Sequence, residues 1–346
     1  MKKRITSMFL VLFVMLSLLS GNVLASPASG NGTEKNPYLI ATAQDLKEFR
    51  DEVNKGAKKS TSTLCAKLTA NIDLSSLEGN WEPIGKMTST YSDYVAYGGT
   101  FDGNGFTISG LSIDSKAAYQ GLFGYVKNGT IENLTVEGKI STSVKNSAYA
   151  AGIVAYGYPV QMNHCVNRVD VTATAGGVTA GVAAYVYSGS NIKNCTNQGT
   201  VKGSGNYVGG IAANVSGYSN SVTIEGCLNS GTVTNSGNSN YATGGIAGSV
   251  SGTASVVERC GNTGVISSTI KRTGGIVGSA IGTFRSCFNT GSVTGIYNTG
   301  GIAGSCAAKD TKITDCYNWG DVTCNTPKDS FKVDSYSKGV GGIAGD

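Results

Sequence analysis

The residues in this chain with the chemistry to react or to bind metal are led by a series of evenly spaced cysteines. Cys165, Cys195, Cys227, Cys260, Cys287 and Cys316 recur at intervals of 27 to 33 residues. A thiol can act as a nucleophile or a metal ligand, but either role needs a base or further ligands close by. The single histidine, His164, precedes Cys165, and the same place beside the other cysteines holds Asn194, Gly226, Arg259, Ser286 and Asp315. That column offers no second ligand, so His164 reads as a loop or corner residue. Acid–base chemistry on a polysaccharide would need carboxylates, or carboxylates with Lys or Arg, gathered on one face. The only stacked acidic pair is Glu225 with Glu258, in a column otherwise made of Glu132, Asn163, Lys193, Arg285 and Thr314. It reads as a solvated face on which Lys193 neighbours Glu225 and Glu258 neighbours Arg285. No catalytic residue, cofactor or metal site is assigned, and calcium-binding nonapeptides of the G-G-x-G-x-D type are absent from the sequence.

Aromatic residues give a better candidate for recognition. Tyr125, Tyr156 and Tyr185 occupy one position in three successive repeats, and Tyr158 and Tyr187 share another two residues later. Stacked in register they form a strip, and Tyr offers large amphipathic area with little side-chain entropy to lose. These five are the expected ligand-binding residues, with glycans or host and cell-surface proteins as partners. The competing reading is a ladder that only stabilises neighbouring coils. A second candidate is the loop from Asn325 to Lys338, which carries Phe331 and Tyr336. It also reads as a tolerated insertion.

The elements that must position these residues are repeats. Each cysteine opens a near-copy of C-x-N-x-G-x-V, and a degenerate copy starts at Leu134. Three residues before each start stands an apolar residue (Ile131, Met162, Ile192, Ile224, Val257, Phe284, Ile313), and six residues after it a β-branched one (Ile140, Val171, Val201, Val233, Ile266, Val293, Val322). A phrase close to G-G-I-A-G precedes each copy. A period of this size signals a solenoid or propeller, whose units bury their apolar faces only by stacking. Alternating Cys, Asn, Gly and Val, with several glycines per unit, excludes helical repeats. The expected fold is all-β, a right-handed parallel β-helix (β-solenoid) of about eight coils, each with two or three short strands. The apolar residue and the Cys three positions later have opposite parity, so a corner must separate them if both point inward. The Asn column (Asn167, Asn197, Asn229, Asn262, Asn289, Asn318) is expected to hydrogen-bond along the axis or to turn backbone, and the Cys column to pack as a buried thiol ladder.

Residues 1–25 read as a signal peptide: Lys2, Lys3 and Arg4, an apolar run from Met8 to Leu19, then Val23-Leu24-Ala25. Removing it leaves 24 Lys and Arg against 22 Asp and Glu, a formal charge of +2, which points away from nucleic acid. The remainder holds no apolar stretch long enough to span a membrane, so a secreted or cell-surface location is expected. Residues 26–110 read as an N-terminal cap with the first β coils. Thr42 and Asp45 have capping-box spacing ahead of an amphipathic helix from Ala43 to Asn54. Residues 111–346 read as the repeats. Cys306 and Cys324 flank the last unit and could pair across it. The sequence stops inside a unit, at Gly341 to Asp346, so a longer protein is expected.

Together, G-G-I-A-G followed by N-C-x-N-x-G-x-V resembles the GLUG-motif repeats of bacterial exported and cell-surface proteins. Gly121-Leu122-Phe123-Gly124 matches the motif's opening. Trp81-Glu82-Pro83-Ile84-Gly85, the segment from Gly99 to Ile108, and Asn36-Pro37-Tyr38 with Thr42, Asp45 and Leu46 are similar to the region that precedes such repeats. The resemblance implies a scaffold or adhesin-like binding region, gives no catalytic residue to carry over, and points to Gram-positive gut or environmental bacteria. Two other classes compete: a carbohydrate-active β-helix enzyme, either polysaccharide lyase or hydrolase, and the stalk of a larger surface peptidase.

Overall fold

The computed structural model describes residues 29–87, 93–145, 148–237, 241–306, 308–325 and 340–345. The leader read at residues 1–25, and the loop residues Phe331 and Tyr336, lie outside them. The chain winds into a right-handed parallel β-solenoid of about nine turns with one helix. Four sheets form its walls. One coil shows the pattern: Tyr149–Ala151 on face 1, Val154–Gly157 on face 2, Val160–Asn163 on face 3 and Val166–Ala173 on face 4. This coil thus has four strands where the repeat pattern suggested two or three, and in later coils face 4 is divided into two short strands, such as Leu228–Asn229 and Val233–Asn235. The extra division falls at the Gly phrase, where backbone turns without leaving a gap in the apolar pattern.

The columns found in the sequence are ladders in space. On face 3, Phe101, Ile131, Met162, Ile192, Ile224, Val257, Phe284 and Ile313 pair in register, and all but the half-buried Ile313 are buried. Burying each such side chain stabilises by about 1.5–3 kcal/mol relative to exposure. Between face 3 and the Cys lies the expected corner. It is a left-handed residue in every copy, with φ of 54° at Asn133, 51° at His164, 52° at Asn194, 64° at Gly226, 51° at Arg259, 53° at Ser286 and 54° at Asp315. This single reversal lets the apolar residue and the Cys both point inward.

The Asn ladder explains both repeated phrases at once. Asn167 Nδ2 donates to Asn197 Oδ1 at 2.8 Å, and the chain continues through Asn229, Asn262 and Asn289 to Asn318 at 2.7, 2.7, 2.6 and 2.6 Å. Each amide also donates to the carbonyl two residues on, for example Asn229 to Gly231 at 2.9 Å. The glycines make room for these amides. A Cβ on Gly181, in the Gly phrase, would sit 2.1 Å from Asn197 Oδ1, and one on Gly231 would sit 2.0 Å from Gly199 O and 2.7 Å from Asn197 Nδ2. Asn, the Gly after it and the Gly phrase across the coil form one packing unit.

At the N-terminal end the helix Ala43–Asn54 (α1) closes the solenoid. Asp45 N donates to Thr42 Oγ1 at 3.1 Å and Thr42 N to Asp45 Oδ2 at 2.9 Å, which completes the capping box. Its buried residues Leu46, Phe49 and Val53 cover the first coils, with the Phe49 ring 6.0 to 6.1 Å from those of Tyr38, Tyr97 and Phe101. Tyr38–Ile40, Ala66–Leu68 and Thr100–Asp102 already belong to the face 3 ladder, so regular coils begin before the repeat phrase is recognisable.

Candidate functional site

Parallel pairing in register brings the predicted tyrosines together on face 2. Tyr125 pairs with Tyr156, and Tyr156 with Tyr185. The Tyr156 and Tyr185 rings stack at 4.6 Å with planes 5° apart, and Tyr158 and Tyr187 stack at 4.4 Å and 23°. Tyr125 meets Tyr156 edge-on at 5.6 Å. Tyr125 is buried, which pushes its phenol up to about 12, with Tyr94 and Tyr158 adding to the shift. Tyr156, Tyr185 and Tyr187 are half-buried and Tyr158 is exposed. Stacked rings cover one another's faces, so this strip presents ring edges and hydroxyls more than flat platforms.

The strip is wider than the sequence indicated. Tyr94 packs edge-on to Tyr125 at 5.3 Å, with Lys127 Nζ 5.6 Å above its ring. From face 1, Tyr119 and Tyr149 stack at 5.0 Å and 1°, and both meet Tyr156 edge-on, at 5.9 and 5.3 Å. Eight tyrosines from two faces thus form one contiguous cluster. Tyr119 and Tyr149 stand just ahead of the Gly phrase, two residues before Gly121 and three before Gly152, so no common offset marked them as one column. Tyr94 carries no signal either, because its coil lacks the repeat phrase.

The charged column is a chain of ion pairs. Lys193 Nζ lies 3.0 Å from Glu225, Arg259 bonds both Glu225 and Glu258, and Arg285 bonds Glu258. The neighbours expected from sequence are therefore paired. Solvation is corrected at one place: Glu258 is buried, 6% exposed, because Arg259 and Arg285 close over it. Lys193 and Arg259 hold the Glu225 carboxyl below its ordinary value.

The cysteines of the ladder are buried, with Cys316 half-buried, and all nine sulfurs are thiols. Burial pushes Cys195, Cys227 and Cys260 well above the usual thiol value, away from the thiolate that nucleophilic or metal chemistry requires. Each donates instead to a local carbonyl, as Cys195 does to Lys193 O at 3.2 Å. Cys306 and Cys324 do not form the bond considered from sequence. Cys306 ends a face 2 strand and Cys324 a face 4 strand, where its thiol donates to Tyr297 O at 3.0 Å.

A groove of about 490 Å³ lies beside α1, lined in part by Lys47, Arg50, Glu78, Trp81 and Ser112. Arg50 is committed there: its guanidinium bonds Asp51 at 2.8 and 2.6 Å and stacks 4.8 Å over Trp81. Glu78 faces no second carboxylate among the lining residues, whereas glycoside hydrolysis uses a pair. Among the described residues no group of three or more His, Cys, Asp or Glu could hold a metal ion, and no helix is long and apolar enough to cross a membrane.

No protein-family model matches the chain. A stretch of 144 residues is 34% identical to part of Halomucin from Haloquadratum walsbyi, covering 39% of this chain and 2% of that protein. Another alignment, over 139 residues, is 31% identical to a candidate Gly-rich membrane protein from Evansella cellulosilytica, covering 38% of this chain and 15% of the relative. The chain therefore spans a small part of either curated relative. Among solved structures, a candidate immunoglobulin A1 protease from Bacteroides ovatus superposes with a TM-score of 0.63 at 21% identity, over 84% of this chain and 86% of that one. A second, described as IgA1 Protease, gives 0.53 at 17% identity, over 81% of this chain and 21% of that one. At these identities the likeness is one of fold.

Proposed function

We propose that this chain is a non-catalytic segment of a bacterial secreted or cell-surface protein of the GLUG-repeat type, a rigid scaffold that carries an adhesin-like recognition strip. One observation carries this reading: nearly every repeated column is occupied by contact with the same column of the next coil. Asn bonds Asn, Tyr stacks on Tyr, and Glu225 and Glu258 are held by Lys193, Arg259 and Arg285. The one stacked acidic pair of the repeats is thereby engaged with its neighbours. Tyr156, Tyr158, Tyr185 and Tyr187 keep part of their surface in solvent. A row of phenol hydroxyls and ring edges suits glycans or a host-surface protein, which offer hydroxyls and small apolar patches.

The test is binding of the purified chain to a glycan array and to host matrix proteins. Beside it runs a variant with Tyr156, Tyr158, Tyr185 and Tyr187 all changed to Phe, which keeps the stacks and removes the hydroxyls, with folding of both checked by circular dichroism. Specific binding lost in the folded variant supports recognition by the strip. Absence of binding by either protein removes the recognition role and leaves a spacer.

A second reading, the stalk of a larger surface peptidase, is favoured by the fold likeness to the candidate immunoglobulin A1 protease. Immunoglobulin A1 therefore belongs among the proteins tested. Binding without cleavage fits a stalk that engages substrate for a catalytic domain elsewhere, and cleavage by this chain alone would overturn the non-catalytic assignment.

A further inference from the structure

The geometry points to Tyr158 and Tyr187 as a site of oxidative modification, at which a dityrosine bond staples two successive coils of the same molecule. Their rings stack with centroids 4.4 Å apart and planes at 23°, which holds the two phenols side by side within reach of each other. Parallel register fixes this approach: Gly157, the last residue of its strand, pairs with Val186, so Tyr158 just beyond that strand comes beside Tyr187 of the next coil. No chain diffusion is needed for the two rings to meet, and effective concentration in such a held pair far exceeds that between molecules.

The reaction has a defined balance. A haem peroxidase with hydrogen peroxide removes one electron and one proton from each phenol. The two phenoxyl radicals join through a carbon–carbon bond between ring positions beside the oxygens, and transfer of the hydrogen at each joined carbon, as a proton, to its own ring oxygen restores both phenols. Two hydrogen atoms leave the protein in all, and one peroxide becomes two waters.

Selectivity within the eight-tyrosine cluster follows from exposure and freedom. Oxidation of a phenol requires its proton to reach an acceptor, and Tyr158 is 37% exposed while Tyr119 is 4% exposed. Coupling also requires the rings to swing out of the stack. Tyr156 is wedged by the edges of Tyr119, Tyr125 and Tyr149, and Tyr185 by that of Tyr149. Among the ring contacts of the described residues, the Tyr158–Tyr187 pair meets the cluster at Tyr185, 6.4 Å from Tyr187 and nearly parallel, with no edge wedged against it. A hole formed on any ring of the cluster can move through its neighbours to this pair, because adjacent centroids are close along the whole strip.

The experiment is treatment of the purified chain with peroxidase and hydrogen peroxide, read by dityrosine fluorescence, intact mass of the monomer and mapping of linked peptides. The expected result is a monomer lighter by two hydrogen atoms, with Tyr158 joined to Tyr187 and a yield that does not change with protein concentration. Tyr158→Phe and Tyr187→Phe keep the stacked ring and should each abolish the linked peptide. Dityrosine found only in dimers, a link mapped to another pair, or unchanged fluorescence in both variants would overturn the assignment.

Discussion

The two halves of this solenoid use the same positions for different physics. On face 2 one column reads Tyr125, Tyr156, Tyr185, Asn214, Ser249, Ser279 and Ser305, so aromatic stacking gives way to small polar residues halfway along. On face 4 the change runs the other way: Ile108 and Val136 precede Asn167, and from there to Asn318 the column is amide. Hydrocarbon runs through every coil; rings are added to it in the earlier ones and a polar chain inside the coil in the later ones. A buried amide chain is favourable only when every member is satisfied, and in-register stacking meets that condition by repetition.

Breaking that chain in its middle should have the largest effect. Asn229→Ala removes the acceptor of Asn197 Nδ2 and the donors to Asn262 Oδ1 and Gly231 O, all at a site with no solvent. At about 1–3 kcal/mol for each buried group left unsatisfied, the loss should be roughly 3–5 kcal/mol. The measurement is denaturant unfolding with hydrogen exchange, and exchange should rise most in the coils on either side of Asn229. A cost below that of an ordinary surface substitution would mean that the amides contribute shape alone. The same column in the first half is already apolar, at Val136, so the cost belongs to the neighbours and not to the position.

Next in size is the room made for the amides. Gly231→Ala places a Cβ 2.0 Å from Gly199 O and against the Asn197 amide, a backbone contact that cannot give way by side-chain rotation. About 1–3 kcal/mol, the usual cost of overpacking, is expected in thermal or denaturant unfolding. Gly79→Ala is the contrasting control for space: a Cβ there meets nothing within 4 Å, so its cost comes only from the positive φ of 84°.

The aromatic half should respond to ring loss by less than the amide half responds to Asn loss. Tyr156→Ala deletes contacts to Tyr119, Tyr125, Tyr149 and Tyr185 from a half-buried position and should destabilise by about 2–3 kcal/mol, below the full cost of a buried aromatic. Ser279→Ala, in the same column on a later coil, should change stability by less than about 0.5 kcal/mol. Equal effects at the two positions would dissolve the contrast between the halves. Melting curves for the pair decide it.

How far these features could be read beforehand follows the same division. Columns that contact their own copies were legible, because identical spacing plus parallel stacking predicts the contact: the Cys, Asn and Val ladders, the His164 corner and the α1 capping box all follow from period and local chemistry. Contacts across the coil were not. The Gly phrase gave no hint that Gly181 faces the Asn197 amide, since the two lie on different faces and meet only after the coil closes. Tyr94, Tyr119 and Tyr149 joined the tyrosine strip from outside the aligned columns for the same reason. Glu258 was misjudged because its burial comes from two arginines closing over it, a matter of rotamers that spacing does not record.

The smallest expected effect lies on the outer ion chain from Lys193 to Arg285, which depends on solvent more than on packing. Glu225 stands between Lys193 and Arg259, which hold its carboxyl below the usual value. A folded value below the unfolded one means that its contribution is present in full above about pH 4.3, the ordinary carboxylate value. It is lost as pH falls through the depressed folded value. Wild type should therefore lose slightly more thermal stability on acidification below about pH 4 than Glu225→Gln does. Added salt should shrink that difference, since the carboxylate sits at the surface and the pairing is screened. Glu258, closed in by Arg259 and Arg285, should keep more of its contribution in salt, and Glu258→Gln should therefore cost stability even when the Glu225 effect has vanished. If salt erases both effects together, the burial of Glu258 does not insulate its pairs, and the outer chain acts as a uniform solvated surface from Lys193 to Arg285.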